Sequence, residues 1–69
     1  MSQFPDLRPD LAAIAGTIPD GSRVLDIGCG QGTLLAALAE HKQVDARGLE
    51  IDPACVATCV SRGLSVVQG

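Results

Sequence analysis

The chain's 69 residues, with 5 Lys and Arg against 8 Asp and Glu and a formal charge of −3, make at most one small domain. They offer no basic patch for a phosphate backbone, which excludes nucleic-acid binding by electrostatics alone. Hydrophobic residues are 46% of the chain, yet Phe4 is the one aromatic, so the core is left to aliphatic side chains and alanine. No apolar run approaches the ~20 residues of a membrane span, and the amino terminus lacks the basic segment and apolar core of a signal peptide. The chain reads as cytoplasmic and not membrane-bound, with its three cysteines reduced.

Residues 1–6 carry little pattern and read as a flexible arm. From Leu7 the apolar positions 7, 11, 14 and 18 follow helical spacing, which predicts a first helix over about 7–18 with Asp6 as its cap and Pro9 in the first turn. Pro19-Asp20-Gly21-Ser22 reverses the chain. Val24, Leu25 and Ile27 then form the short apolar run of a central parallel strand covered on both faces. Glycines at 28, 30 and 32 turn the chain into a second helix, from about Gly32 to Glu40 or His41, where His41 and Lys42 suit the negative end of the helix dipole. Residues 44–51 read as a second strand with Glu50 at its carboxyl end. Asp52-Pro53 signals a third helix to about Ser61, with Gly63 as its stop, and 64–68 is a third strand.

The predicted fold class is α/β: a partial, Rossmann-like, doubly wound parallel sheet of three strands with helices on both faces. The chain stops where the third strand hands over to its loop, and so reads as a fragment of a longer protein. Strand, glycine loop and helix together make a small-molecule site at the carboxyl end of a parallel strand.

The spacing of the glycines discriminates between ligands. In the nicotinamide or flavin fingerprint G-x-G-x-x-G the helix terminus takes a pyrophosphate. Here the third glycine comes one residue early, position 33 is Thr33, and Asp26 stands two residues before the first glycine. A carboxylate there repels a pyrophosphate and welcomes an ammonium or sulfonium. Two plainer readings stay open: Asp26 bonded to backbone N–H groups of its own loop, and Glu50 as a solvated strand-end acid. Cys29 fits the loop as a small packed side chain rather than a nucleophile. Cys55 and Cys59, one helical turn apart, read as core, and His41 as facing water or backbone carbonyls. No catalytic residue and no metal ligand is assigned.

Asp26-Ile27-Gly28-Cys29-Gly30-Gln31-Gly32 resembles motif I of the class I S-adenosylmethionine-dependent methyltransferases, (D/E)-x-G-x-G-x-G. Arg8-Pro9-Asp10-Leu11, Ser22 to Gly30, Leu38 to Lys42 and Gly48 to Asp52 together are similar to the amino-terminal part of the MetW family of methionine-biosynthesis proteins. The resemblance implies a truncated class I methyltransferase fold, with residues 7–69 as the amino-terminal half of a methyltransferase-like domain and a strand order of 3-2-1. It implies S-adenosylmethionine as cofactor, held by Glu50 at the ribose hydroxyls, by Asp26, Gly28, Cys29 and Gly30 around the methionine moiety, and with Ile51 beside the adenine. It also implies two alternatives for function: methyl transfer to an unidentified acceptor, or a non-catalytic cofactor-sensing or docking subunit of a homoserine O-acyltransferase. With the first strand at the edge of that order, an isolated fragment is prone to self-association.

Overall fold

The computed structural model describes Phe4 and residues 6–69. Six elements alternate along the chain: α1 (Pro9–Thr17), β1 (Arg23–Ile27), α2 (Thr33–His41), β2 (Asp45–Glu50), α3 (Pro53–Ser61) and β3 (Val66–Gln68). Their start and stop signals are local. Pro9 opens α1, where its missing N–H costs nothing. Its cap position is Arg8, without a side-chain cap bond, so Asp6 does not cap the helix as expected; Asp10 supplies the acid of the first turn instead. In α3 the expected cap is present: Asp52 Oδ1 accepts from the Ala54 N–H at 2.9 Å, and Pro53 follows at the first helical position. Gly63, at φ +77°, ends that helix in the left-handed region.

Both strand pairs are parallel and the order is β1-β2-β3, the expected 3-2-1 read from the other edge. Asp26 stands opposite Gly48, and Glu50 opposite Gln68. The expected placement of helices on both faces is corrected. Val24, Asp26, Ala46, Gly48 and Glu50 are buried or half-buried along one face, whereas Leu25, Ile27 and Val67 of the other are 62%, 74% and 66% exposed. The physical reason is the order itself. Each crossover steps the same way across the sheet, so right-handed connections put α2 and α3 on the same side. The run Val24-Leu25-Ile27 is therefore covered on one face only.

Phe4, Ala15 and Leu38 form the core cluster, flanked by Ala12, Ile18, Val24, Leu34 and Ala46. The expected flexible arm falls mainly on residues outside those described. Phe4, within it, is 3% exposed, and its carbonyl accepts from the Leu7 N–H at 3.2 Å. His41 meets the Phe4 ring edge-on with centroids 5.4 Å apart, and Lys42 Nζ, 5.9 Å above that ring, donates to the Ile18 carbonyl. The far end of α2 is thereby tied to α1, leaving its amino end to the glycine loop. Among the described residues no helix is long and apolar enough to cross a membrane.

Candidate functional site

The site grows from the end of β1. Past Ile27 the Gly28 N–H and the Cys29 N–H both donate to the Leu49 carbonyl, at 2.7 and 3.3 Å, so the loop folds back on β2. The Gly32 N–H closes a turn on the Cys29 carbonyl at 3.0 Å, and α2 starts from there. Glycine is required at 32 for two reasons. Its φ is +81°, and a Cβ would lie 2.6 Å from Leu64 Cδ1 and 2.9 Å from Cys59 Sγ. That close approach seats the amino end of α2 against the strand-leading turn after α3.

Glu50 closes the other side. Its Oε1 accepts from the Gly30 N–H and its Oε2 from the Asp52 N–H, each at 2.8 Å, and the residue is 9% exposed. The Asp52 N–H, then that of Gly30, hold its carboxyl below the usual carboxylate range, against the opposing effect of burial. It is ionised and fixed, which disposes of the reading as a solvated strand-end acid. Each oxygen keeps a further lone pair for a ligand hydroxyl.

Asp26 is the opposite case. It is half-buried on the covered face, no hydrogen bond from a described residue reaches its carboxylate, and burial pushes its carboxyl above the usual range. The reading of Asp26 as bonded to its own loop is therefore not what the structure shows. It faces an open cleft of about 720 Å³ together with Gly28, Cys29, Gly30 and Thr33, closed on the other side by Arg8, Leu11 and Ile14 of α1 and its cap. That volume lies within the roughly 300–1,000 Å³ of small-molecule sites.

Cys29 is half-buried, its thiol pushed up to about 11, first by burial and then by the neighbouring Cys59. A thiol so protonated is packing, not a nucleophile. Ile51 lies just past Glu50 but is 77% exposed and forms no part of the cleft wall. His41 is at the opposite end of α2 from the loop. The structure thus gathers Asp26, Gly28, Cys29 and Gly30 around one cleft, ties Glu50 to it through Gly30, and leaves Ile51 beside it. Gly48 is a site residue that sequence reasoning missed: a Cβ there would lie 2.7 Å from both Cys29 Sγ and Leu35 Cδ1. A glycine inside a strand is itself the signal for such close approach.

Comparison with protein families matches residues 8–69 to the family described as methionine biosynthesis protein MetW. The chain belongs to the MetW family. A comparison with curated proteins found no match. Among solved structures, this MetW-family chain is similar to a TehB-like SAM-dependent methyltransferase from Corynebacterium glutamicum: 27% identity, TM-score 0.78, over 93% of this chain and 35% of that one. It is also similar to a SAM-dependent methyltransferase from Archaeoglobus fulgidus, with 28% identity and a TM-score of 0.76 over 87% of this chain and 26% of that one. A methyltransferase from Geobacter sulfurreducens, solved in complex with S-adenosyl-L-homocysteine, shares the fold at 23% identity, with a TM-score of 0.75 over 91% of this chain and 30% of that one. The expected Rossmann-like methyltransferase architecture is thereby established. The MetW-family chain spans about a third or less of those structures.

Proposed function

We propose that the carboxyl ends of β1 and β2 and the loop between β1 and α2 hold S-adenosylmethionine, and that residues 7–69 are the cofactor-binding, amino-terminal part of a methyltransferase-like protein of methionine biosynthesis. One observation carries the reading: Glu50, buried and ionised, is held by two backbone N–H groups at 2.8 Å with acceptor capacity to spare. A carboxylate so fixed is suited to take two vicinal hydroxyls at once, as a ribose presents them.

The other residues fit the same group. Asp26, without a hydrogen-bond partner among the described residues and raised in pKa by burial, gains most from a cationic ligand, and the ammonium and sulfonium of the cofactor are cations. The backbone of Gly28, Cys29 and Gly30 lines the cleft without side-chain bulk beyond one thiol. Ile51 offers an exposed apolar surface next to Glu50 for the adenine. When bound, the cofactor supplies a methyl group on a positively charged sulfur. The chain's own residues bind and orient it, and positioning is the larger part of what such a transfer asks of a protein.

The test is calorimetric titration of S-adenosylmethionine and S-adenosylhomocysteine into the protein at its natural length, with Glu50→Ala as control. Binding that the substitution abolishes supports the reading. Absence of binding to the folded wild type overturns it, and leaves docking on a homoserine O-acyltransferase, without methylation, as the role to test by co-purification.

A further inference from the structure

Gly30 is held from both sides by elements outside its own loop. Its N–H is on Glu50 at the end of β2. Its carbonyl oxygen accepts from Cys59 Sγ of α3 at 3.3 Å, with Cys29 Sγ at 3.9 Å from the same oxygen. The next carbonyl, that of Gln31, accepts from Arg62 Nη1 at 2.9 Å, at the carboxyl end of α3. Two consecutive carbonyls of the glycine loop are thus turned toward α3 and bonded there. Cys59 is fully buried, so its thiol proton has no water to meet, whereas Arg62 is exposed and reaches the loop across the surface.

Gly30 sits at φ +58°, in a conformation that its lack of a Cβ makes accessible but does not enforce. A glycine so free needs outside bonds to hold one orientation, and any rotation that remains must be frozen when a ligand arrives. We infer that Cys59 and Arg62 are positioning residues for the cofactor: from α3 they fix the Gly30 and Gln31 carbonyls, and so keep the Gly30 N–H on Glu50 and the loop backbone in its ligand-ready shape. The inference rests on the reading that this loop and Glu50 hold S-adenosylmethionine. It adds to the site a helix that lines no part of the cleft, and gives one buried cysteine a role as a hydrogen-bond donor rather than as a small apolar filler.

The test uses S-adenosylhomocysteine titrated by calorimetry into the protein at its natural length, as wild type, Cys59→Ala, Cys59→Ser and Arg62→Ala, with amide exchange of Gly30 followed in the free protein. Cys59→Ala and Arg62→Ala are each expected to weaken binding about three- to tenfold, the size of one net hydrogen bond, and to speed exchange at Gly30. Cys59→Ser, which keeps a donor, restores both. Should Cys59→Ala fail to fold, Arg62→Ala, a change at an exposed side chain, decides alone. Wild-type affinity and wild-type Gly30 exchange in folded Arg62→Ala overturn the inference and leave the cofactor reading standing. A wild type that binds no cofactor overturns both.

Discussion

The ends of β1 and β2 each carry one carboxylate on the covered face of the sheet, on neighbouring parallel strands, and the two are treated in opposite ways. Glu50 is buried with both oxygens bonded, and its carboxyl is held below the usual range, first by the Asp52 N–H. Asp26 is half-buried with no such donors among the described residues, and burial pushes its carboxyl up. The signs of their contributions differ accordingly. Glu50 stabilises the fold above the ordinary carboxylate range, and that stabilisation is lost as pH falls through its lowered pKa. Asp26 favours the fold when protonated, and ionising it as pH rises through its raised pKa costs stability. One acid is part of the scaffold; the other is a cost that a cation bound beside it would offset.

The sharpest way to break that contrast is Glu50→Ala. It leaves the Gly30 and Asp52 N–H groups without their acceptor and removes the proposed ribose contact, so cofactor binding is expected to fall roughly a hundredfold or more, measured by calorimetry. If binding survives, Glu50 belongs to the scaffold only. Next in size is Gly48→Ala, which strikes the β1 side. Gly48 is paired with Asp26, and a Cβ there must displace Cys29 Sγ, Leu35 Cδ1 and, at 3.0 Å, Val66 Cγ2. Overpacking of this kind is expected to cost about 1–3 kcal/mol in chemical denaturation. A smaller loss would show that the sheet and α2 move apart at little cost.

The contrast between the two acids was only half legible in the sequence. The order of six elements, the Asp52 cap and the glycine loop all rest on local chemistry, which neighbouring residues carry. Asp26 stands out by its place two residues before the first glycine, and Glu50 as a ligand residue only through the resemblance to the methyltransferase family. What sets them apart is not local: Glu50's two donors lie 20 residues back and 2 residues ahead, and their convergence is a product of the β1–β2 register. The same holds for Phe4. It reads as part of a patternless arm, yet it packs on Ala15 and Leu38 where α1 meets α2. Helices on one face rather than two follow from strand order combined with crossover hand, which the local apolar run Val24, Leu25 and Ile27 does not carry.

Asp26→Asn sharpens the contrast from the other side. Removing a charge that burial disfavours is expected to raise stability at neutral pH, while the loss of a charge-assisted contact weakens S-adenosylmethionine binding about tenfold. The pH dependence is the more telling readout. A bound cation lowers the pKa of Asp26, so binding releases a proton at pH values near the raised pKa, and affinity falls as pH drops through that range. In Asp26→Asn that part of the fall disappears. If the wild-type profile is retained, Asp26 does not meet the cation.

The smallest expected effect is a control on all of these. Gly16 lies near the end of α1, its φ is not in the left-handed region, and a Cβ there meets nothing within 4 Å. Gly16→Ala should therefore stabilise the chain by up to about 1 kcal/mol through helix propensity alone. It touches neither strand end, so cofactor affinity should stay at the wild-type value. If affinity rises with it, a fraction of the wild-type molecules is unfolded under the binding conditions. The losses measured for Glu50→Ala and Gly48→Ala would then mix folding with contact, and repeating them in the Gly16→Ala background would separate the two.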